Sequence, residues 1–184
     1  MASKIIISCI LVLRIFTLMI LAASIALTVT NNFKAAGTKV KFSDCKSYWY
    51  ILAVGAAGAL YTLIQLPFAM YHVVKEKRMI RGKFLPNFDF YGDKVISFLL
   101  ASGVGVGFSA SVELKDTINS LMDTFEFLLA NENLISLDVM EEFRTKLNKF
   151  FDREIIAIGI LVGGFATMAI LSILSSLNKS GKSF

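Results

Sequence analysis

The chain has 184 residues, of which 55% are hydrophobic and 18% are charged, and its formal net charge is +5. The mean hydropathy of +0.66 is typical of a membrane protein and leaves little chain for a separate soluble domain. The basic residues lie mainly beside apolar runs, where anionic lipid headgroups are their natural partners. We therefore expect membrane lipids, and no nucleic acid, among the partners.

Four apolar runs are each long enough to cross a membrane as a helix. Their approximate bounds are residues 5–29, 48–74, 90–112 and 155–177. The predicted fold is an all-α membrane protein, in which four transmembrane helices form a bundle that is a single domain over residues 1–184. A dense group of basic residues between the second and third runs places that loop, and both termini, in the cytoplasm.

The first run contains a single charged residue, Arg14. A charge at the bilayer centre costs at least about 2.5 kcal/mol, so a partner is expected. Two interpretations remain open, because Arg14 either extends to the lipid headgroups or is buried and paired. A weakly polar stripe at helical spacing favours the second: Arg14, Thr17, Leu21, Ser24 and Thr28. A cleaved signal peptide is disfavoured, because Arg14 would interrupt its apolar region.

Asp93 is the predicted partner of Arg14. It stands near the start of the third run, which enters the membrane from the same side as the first. Both charged groups then belong to the cytoplasmic half of the bundle, and we expect an intramembrane ion pair between them. In the alternative interpretation, Asp93 caps its own helix while Arg14 reaches lipid phosphate.

Small residues in the third and fourth runs predict close helix packing. Gly103, Gly107 and Ser111 recur every four residues on one face of the third helix, and Gly159 and Gly163 have the same spacing in the fourth. We expect the protein to self-associate through such faces, although part of the third-helix face is used within the monomer.

The loops between the runs are expected to differ in structure. The first loop, residues 30–47, is interpreted as a plain connector. The third loop, residues of about 113–154, has apolar residues at helical spacing and no glycine or proline in its two halves. We expect the third and fourth helices to continue as an extracellular antiparallel hairpin closed by Asn131–Leu137. The rival interpretation is two amphipathic helices lying flat on the membrane.

No motif for catalysis, a metal or a cofactor is present in the sequence, and the chain is predicted not to be an enzyme. His72, the only histidine, ends the second run, where an interfacial position is expected rather than a metal site. Cys9 and Cys45 are expected on opposite membrane faces, so Cys45 is either a free thiol, as favoured, or pairs between chains. The acidic residues of the third loop are interpreted as solvated helix faces rather than a calcium site.

Two motifs resemble a known family. The first is Leu13-Arg14 followed by the run to Val29, and the second is Tyr91-Gly92-Asp93-Lys94-Val95 leading into Ser97-Phe98-Leu99-Leu100-Ala101-Ser102. They resemble the Casparian strip membrane protein-like (CASP-like) family of land plants, which is distantly similar to the MARVEL tetraspans. The resemblance covers the spans and implies a multi-pass plasma-membrane protein that forms homo- or hetero-oligomers with family members.

The resemblance implies a scaffold that, in the founding members, recruits lignin-polymerising enzymes to a wall domain. The first extracellular loop lacks the glutamate- and phenylalanine-containing signature of strip-forming members, and the second extracellular loop lacks their cysteines. The resemblance therefore implies a general role in membrane organisation. The leading prediction is thus a non-enzymatic scaffold that self-associates and organises a membrane or cell-wall domain. A small channel or transporter with Arg14 and Asp93 lining the path is the alternative. A third option is an accessory subunit of a membrane enzyme.

Overall fold

The computed structural model describes residues 2–35, 38–41, 46–75, 84–129 and 137–180. Four helices account for most of them: α1 Ala2–Thr30, α2 Lys46–Lys75, α3 Phe84–Leu129 and α4 Leu137–Ser180. Two short strands lie between α1 and α2: β1 Asn32–Ala35 and β2 Thr38–Lys41. All four helices are long and apolar enough to cross a membrane, which confirms the predicted four-helix membrane bundle.

Each helix packs against two neighbours. α1 packs against α2 and α4, and α3 packs against the same two helices, so α1 and α3 lie diagonally across the bundle. Leucine and isoleucine side chains such as Leu21, Leu100 and Ile158 fill the core between them. Large apolar side chains such as Phe98 and Ile173 are exposed on the outer surface, as expected for helices surrounded by lipid.

The polar stripe predicted on α1 faces the interior of the bundle. Its five members are each at most 3% exposed, which confirms that this side of the helix meets other helices: Arg14, Thr17, Leu21, Ser24 and Thr28. The hydroxyls find acceptors there; Ser24 Oγ, for example, donates to the carbonyl of Ala157 in α4 at 2.8 Å. Such bonds stabilise the bundle because a buried hydroxyl without a partner is costly in hydrocarbon.

The third and fourth helices are much longer than a membrane is thick. α3 has 46 residues and α4 has 44, and such helices extend for roughly 65–70 Å, whereas the hydrocarbon core measures about 30 Å. α3 also begins earlier than the sequence predicted, at Phe84 rather than near residue 90. Pro86 is tolerated because it stands in the first turn, where the backbone N–H has no helical acceptor.

The projecting halves of α3 and α4 pair with each other. Polar contacts join them along their length: Lys115 Nζ to Asp152 Oδ1 at 2.6 Å, Asn119 Nδ2 to Asn148 Oδ1 at 3.3 Å, and Arg144 Nη1 to Asp123 Oδ1 at 2.9 Å. Met122 and Leu147 are buried in the same interface. The antiparallel hairpin is therefore confirmed and the flat arrangement is wrong. Residues 131–136, which were expected to close it, lie outside the described residues.

The interpretation of the first loop as a plain connector is wrong. β1 and β2 form an antiparallel ribbon in which Lys34 pairs with Lys39, and β1 packs against α4. Polar and apolar residues alternate throughout Asn-Phe-Lys-Ala and in the last three residues of Thr-Lys-Val-Lys, and this period of two is the pattern of a strand. Cys45 and the side chain of His72 lie outside the described part of the chain, and Cys9 is an exposed free thiol.

A buried polar contact fixes the start of this ribbon against α4. Asn31 Nδ2 donates to the carbonyl of Phe150 at 2.9 Å and to Glu154 Oε1 at 2.7 Å. Arg153 Nη2 also donates to Thr30 Oγ1 at 3.0 Å. The end of α1 is therefore held at the level where α4 enters the hairpin.

Candidate functional site

Two deeply buried charges of opposite sign lie where α1 and α3 face each other across the diagonal of the bundle. Arg14 Nη2 donates to Asp93 Oδ1 at 3.3 Å and to Oδ2 at 3.4 Å. Arg14 is 2% exposed and Asp93 is fully buried. The structure thus brings these two residues together inside the bundle, and the Arg14 side chain does not extend to the headgroup level.

The other two helices also contribute to this site. Tyr61 of α2 donates its hydroxyl to Asp93 Oδ1 at 2.8 Å, and Gln65 Nε2, one turn later, donates to the Tyr61 oxygen at 3.3 Å. Ser175 of α4 is buried, and its side chain lies near the Asp93 carboxylate. We call Arg14, Tyr61, Gln65, Asp93 and Ser175 the polar cluster; it joins all four helices at one level.

The polar cluster is asymmetric in its hydrogen bonds. Asp93 accepts hydrogen bonds from two helices, from Arg14 of α1 and Tyr61 of α2, and lies near Ser175 of α4. Arg14 donates to Asp93 alone among the described residues, and its Nη1 atom is buried without a partner there. Because each charge is compensated mainly by the other, separating α1 from α3 would leave both in hydrocarbon. The arrangement therefore stabilises the packing in which α1 and α3 face each other across the bundle. Among the described residues, no group of three His, Cys, Asp or Glu side chains is placed to hold a metal ion.

Gly92 makes room for the tyrosine of the polar cluster. A Cβ atom at this position would lie 2.5 Å from the Tyr61 hydroxyl and 2.7 Å from its ring, distances that no side chain tolerates. Any residue larger than glycine would therefore displace Tyr61 from Asp93. The glycine that precedes Asp93 in the motif Tyr91–Val95 therefore leaves the space that Tyr61 needs to reach the aspartate.

The small residues predicted on α3 are used inside the monomer. A Cβ at Gly103 would lie 2.8 Å from Val54 of α2, and one at Gly107 would lie 3.0 Å from Ile158 of α4. Ser111 is buried, and its hydroxyl is 3.3 Å from that of Tyr48. This face therefore holds the bundle together rather than contacting another molecule.

The two predicted glycines of α4 are placed differently. A Cβ at Gly159 would meet no atom within 4 Å, and one at Gly163 would meet only Ile20, at an ordinary distance of 3.8 Å. Gly159 is exposed on the lipid-facing side of α4, between the exposed Ile156 and Val162. Together Gly159 and Gly163 form a shallow outer face, here called the α4 glycine face.

Comparison with known proteins identifies the family. Residues 4–123 match the sequence model of the Casparian strip membrane protein domain. The chain belongs to this family. The resemblance carried by Leu13-Arg14 and by Tyr91–Val95 is therefore confirmed, and the matched segment contains both Arg14 and Asp93.

Curated relatives in the Casparian strip membrane protein family cover most of the chain. CASP-like protein 4D1 of Ricinus communis is 31% identical over 170 residues, which are 90% of this chain and 88% of the relative. CASP-like protein 4D1 of Arabidopsis thaliana is 33% identical over 82% of this chain and 73% of the relative, and CASP-like protein 4D2 of the same species is 29% identical over 90% and 86%. No solved structure matches the chain.

The sequence did not point to three members of the polar cluster in this Casparian strip family chain: Tyr61, Gln65 and Ser175. Tyr61 and Gln65 stand four residues apart in an otherwise apolar run, and this spacing places them on one face of α2. A glutamine in a membrane span is costly unless it is paired, so Gln65 was the residue from which a polar contact of α2 could have been predicted. Ser175 gave no such signal, because serines are common at packed helix contacts.

Proposed function

We propose that this protein is a non-enzymatic plasma-membrane scaffold that self-associates and organises a membrane or cell-wall domain, with both termini in the cytoplasm. The observation that carries the proposal is the α4 glycine face. Gly159 is left open to lipid, whereas Gly103 and Gly107 are used within the monomer. Glycines spaced four apart on a lipid-facing helix allow the backbone of a second helix to approach closely, and such faces drive association in membranes.

The polar cluster supports a rigid building block rather than a conducting path. Arg14 and Asp93, the two charges that would line a path through the monomer, are hydrogen-bonded to each other and shielded by the surrounding helices. A permeating ion would have to displace contacts that hold α1, α2, α3 and α4 together. The curated relatives have names that describe no enzyme, which is in keeping with a structural role.

A leucine at Gly159 tests the proposal. Two copies with different tags are expressed together in one membrane, and the fraction of one that is captured with the other is measured after mild solubilisation. Gly159→Leu fills open space in the monomer, so we expect unchanged thermal stability but capture reduced at least about tenfold, since close backbone contact is lost.

Gly105→Leu is the matched control. Gly105 is also a lipid-exposed glycine with nothing within 4 Å of an added Cβ, but it lies on α3 and outside the α4 glycine face. The same chemical change there should leave capture intact. Wild-type copies that never capture each other, or equal loss from both variants, would refute self-association through this face.

A further inference from the structure

Two basic side chains lie along the edge of α4 that points away from α3. Lys149 and Arg153 stand one turn apart, and both are exposed. Arg153 donates to Thr30 Oγ1 of α1, whereas the side of α4 that meets α3 carries Asn148 and Asp152. Among the described residues, neither cation forms an ion pair with a carboxylate. We call Lys149 and Arg153 the basic pair.

Two exposed carboxylates lie on the outer side of α3. Glu113 and Asp116 stand three residues apart, and we call them the acidic pair. Glu113 Oε1 accepts a hydrogen bond from Ser109 at 3.0 Å, and no ion pair joins either carboxylate to a described side chain. Leu114 and Ile118 pack against the core on the opposite side of the same turns. The acidic pair therefore points away from its own bundle.

The two pairs lie at the same height on the hairpin. Lys115 Nζ contacts Asp152 Oδ1 at 2.6 Å, and each of these residues is followed by a member of a pair, Asp116 on α3 and Arg153 on α4. One residue corresponds to about 100° around a helix, so both of these side chains turn away from the bridge between the arms. The pairs of one chain are thus level with each other but not joined.

Matched height is what a contact between neighbouring copies requires. Copies inserted in the same orientation in one membrane are related by rotation about the membrane normal, so a contact outside the membrane joins residues at one height. A two-fold rotation exchanges left and right. When two hairpins meet by their outer sides, α4 of each therefore faces α3 of the other. The basic pair of each copy then meets the acidic pair of its partner, and the contact forms twice.

The basic pair also continues the α4 glycine face beyond the membrane. Gly163 stands about four helical turns after Lys149, so the two residues share one side of α4. Gly159, also open to lipid, lies between them along the helix. Close approach of two copies through the α4 glycine face therefore brings the basic pair toward the partner's hairpin.

We propose that the basic pair of one copy binds the acidic pair of a second copy, twice, across a two-fold axis along the membrane normal. This inference rests on the proposed self-association and names a contact outside the membrane through which it occurs. Because the same two surfaces meet in both directions, the contact closes as a dimer. Complementary charge fixes the orientation in which the two bundles meet.

Charge reversal tests the contact in the full-length protein. One variant carries Lys149→Glu and Arg153→Glu, and the other carries Glu113→Lys and Asp116→Lys. Each variant should lose about tenfold or more in capture of its own kind, because like charges then face each other in both contacts. The two variants expressed together should capture each other as wild type does. Capture of either variant by wild type should be intermediate, because one of the two contacts remains.

Single reversals outside both pairs provide the controls. Lys46→Glu on α2 and Glu141→Lys on α4 change exposed charges, and capture should not change. Capture of the wild type should also fall in about 1 M salt, where the screening length is about 3 Å.

The outcomes separate this inference from the proposed function. Wild-type capture that persists in the reversed variants, or capture that is lost without restoration in the mixed pair, would overturn the charged contact alone. Loss that occurs only in membranes containing anionic lipid would also overturn it and would assign the basic pair to lipid headgroups. Wild-type copies that fail to capture each other would instead refute the proposed function.

A disulfide test covers the case in which a reversed variant fails to fold. Lys149→Cys in one tagged copy and Asp116→Cys in another, both lacking Cys9 and Cys45, should cross-link under mild oxidation and join the two tags. When both cysteines are placed in one chain, the product should stop at a dimer. A ladder of longer products would contradict the two-fold axis. Links found only within single chains, or only between copies with the same substitution, would contradict the contact.

Discussion

Replacing the two charges of the polar cluster, singly and together, gives the most informative perturbation of the bundle. Removing one partner of a buried ion pair costs about 3–5 kcal/mol, because the remaining charge is left uncompensated. The two single changes should not cost the same. Arg14→Leu leaves Asp93 with the Tyr61 hydroxyl at 2.8 Å and with Ser175, whereas Asp93→Leu leaves Arg14 without an acceptor among the described residues.

We therefore expect Arg14→Leu to lose about 3 kcal/mol and Asp93→Leu about 5 kcal/mol of the free energy of unfolding. The double variant removes both charges and should lose less than Asp93→Leu alone. The coupling energy in the double-mutant cycle then exceeds about 3 kcal/mol. Unfolding in mixed micelles can be followed through the fluorescence of Trp49, the only tryptophan.

The exposed pair Lys115–Asp152 provides the control cycle. Its atoms are closer, at 2.6 Å, but Asp152 is 56% exposed in its side chain, so the coupling should stay below about 1 kcal/mol. If the losses at Arg14 and Asp93 add without coupling, the two residues do not act as a pair. Equal losses from the two single changes would refute the assigned role of Tyr61 and Ser175.

Three further predictions follow from the packing. Gly92→Ala should displace the Tyr61 hydroxyl and lower the free energy of unfolding by about 1–3 kcal/mol; the loss should vanish in a Tyr61→Ala background, and persistence there would exclude this cause. Gly107→Leu should reduce thermal stability in detergent sharply, since even a Cβ is 3.0 Å from its neighbour, and an unchanged melting temperature would contradict the packing. Spin labels at Asn119 and Asn148, whose side chains are in contact, should lie within about 20 Å of each other, whereas a separation above about 30 Å, longer than either arm, would reject the hairpin.

The broad fold follows from hydropathy and periodicity. Long apolar runs require helices in a membrane, because every backbone group must be satisfied within the segment. No glycine or proline stands between Val112 and Ala130 or between Asp138 and Ile155, which correctly indicated that α3 and α4 continue into the hairpin. The ribbon was missed because its strands have four residues each, too few for alternation to stand out in a short polar loop.

Part of the polar cluster follows from the sequence, because an isolated charge in an apolar run demands a partner. Arg14 and Asp93 are recognisable for this reason, and the structure places them 3.3 Å apart. Tyr61 is not recognisable in the same way, since tyrosine is common in membrane helices for its apolar ring. Its role depends on the space left by Gly92, and a contact between α2 and α3 cannot be read from the spacing within either helix.

The glycines show a second limit of sequence reasoning. Gly107 and Gly159 both stand in small-residue patterns at helical spacing. One is enclosed by Ile51 and Ile158, and the other is open to lipid. Spacing defines a face of a helix but not what covers it, because that depends on how the helix is rotated within the bundle.

Direct imaging of the wild-type protein in lipid nanodiscs, at a resolution that shows side chains, tests the central claim of a self-associating scaffold. We expect more than one copy in contact through the α4 glycine face, with Arg14 and Asp93 paired in each bundle and with the centre of the assembly sealed or filled by lipid. Isolated single bundles would contradict self-association, and a continuous water-filled path lined by Arg14 and Asp93 would contradict a scaffold and support conduction.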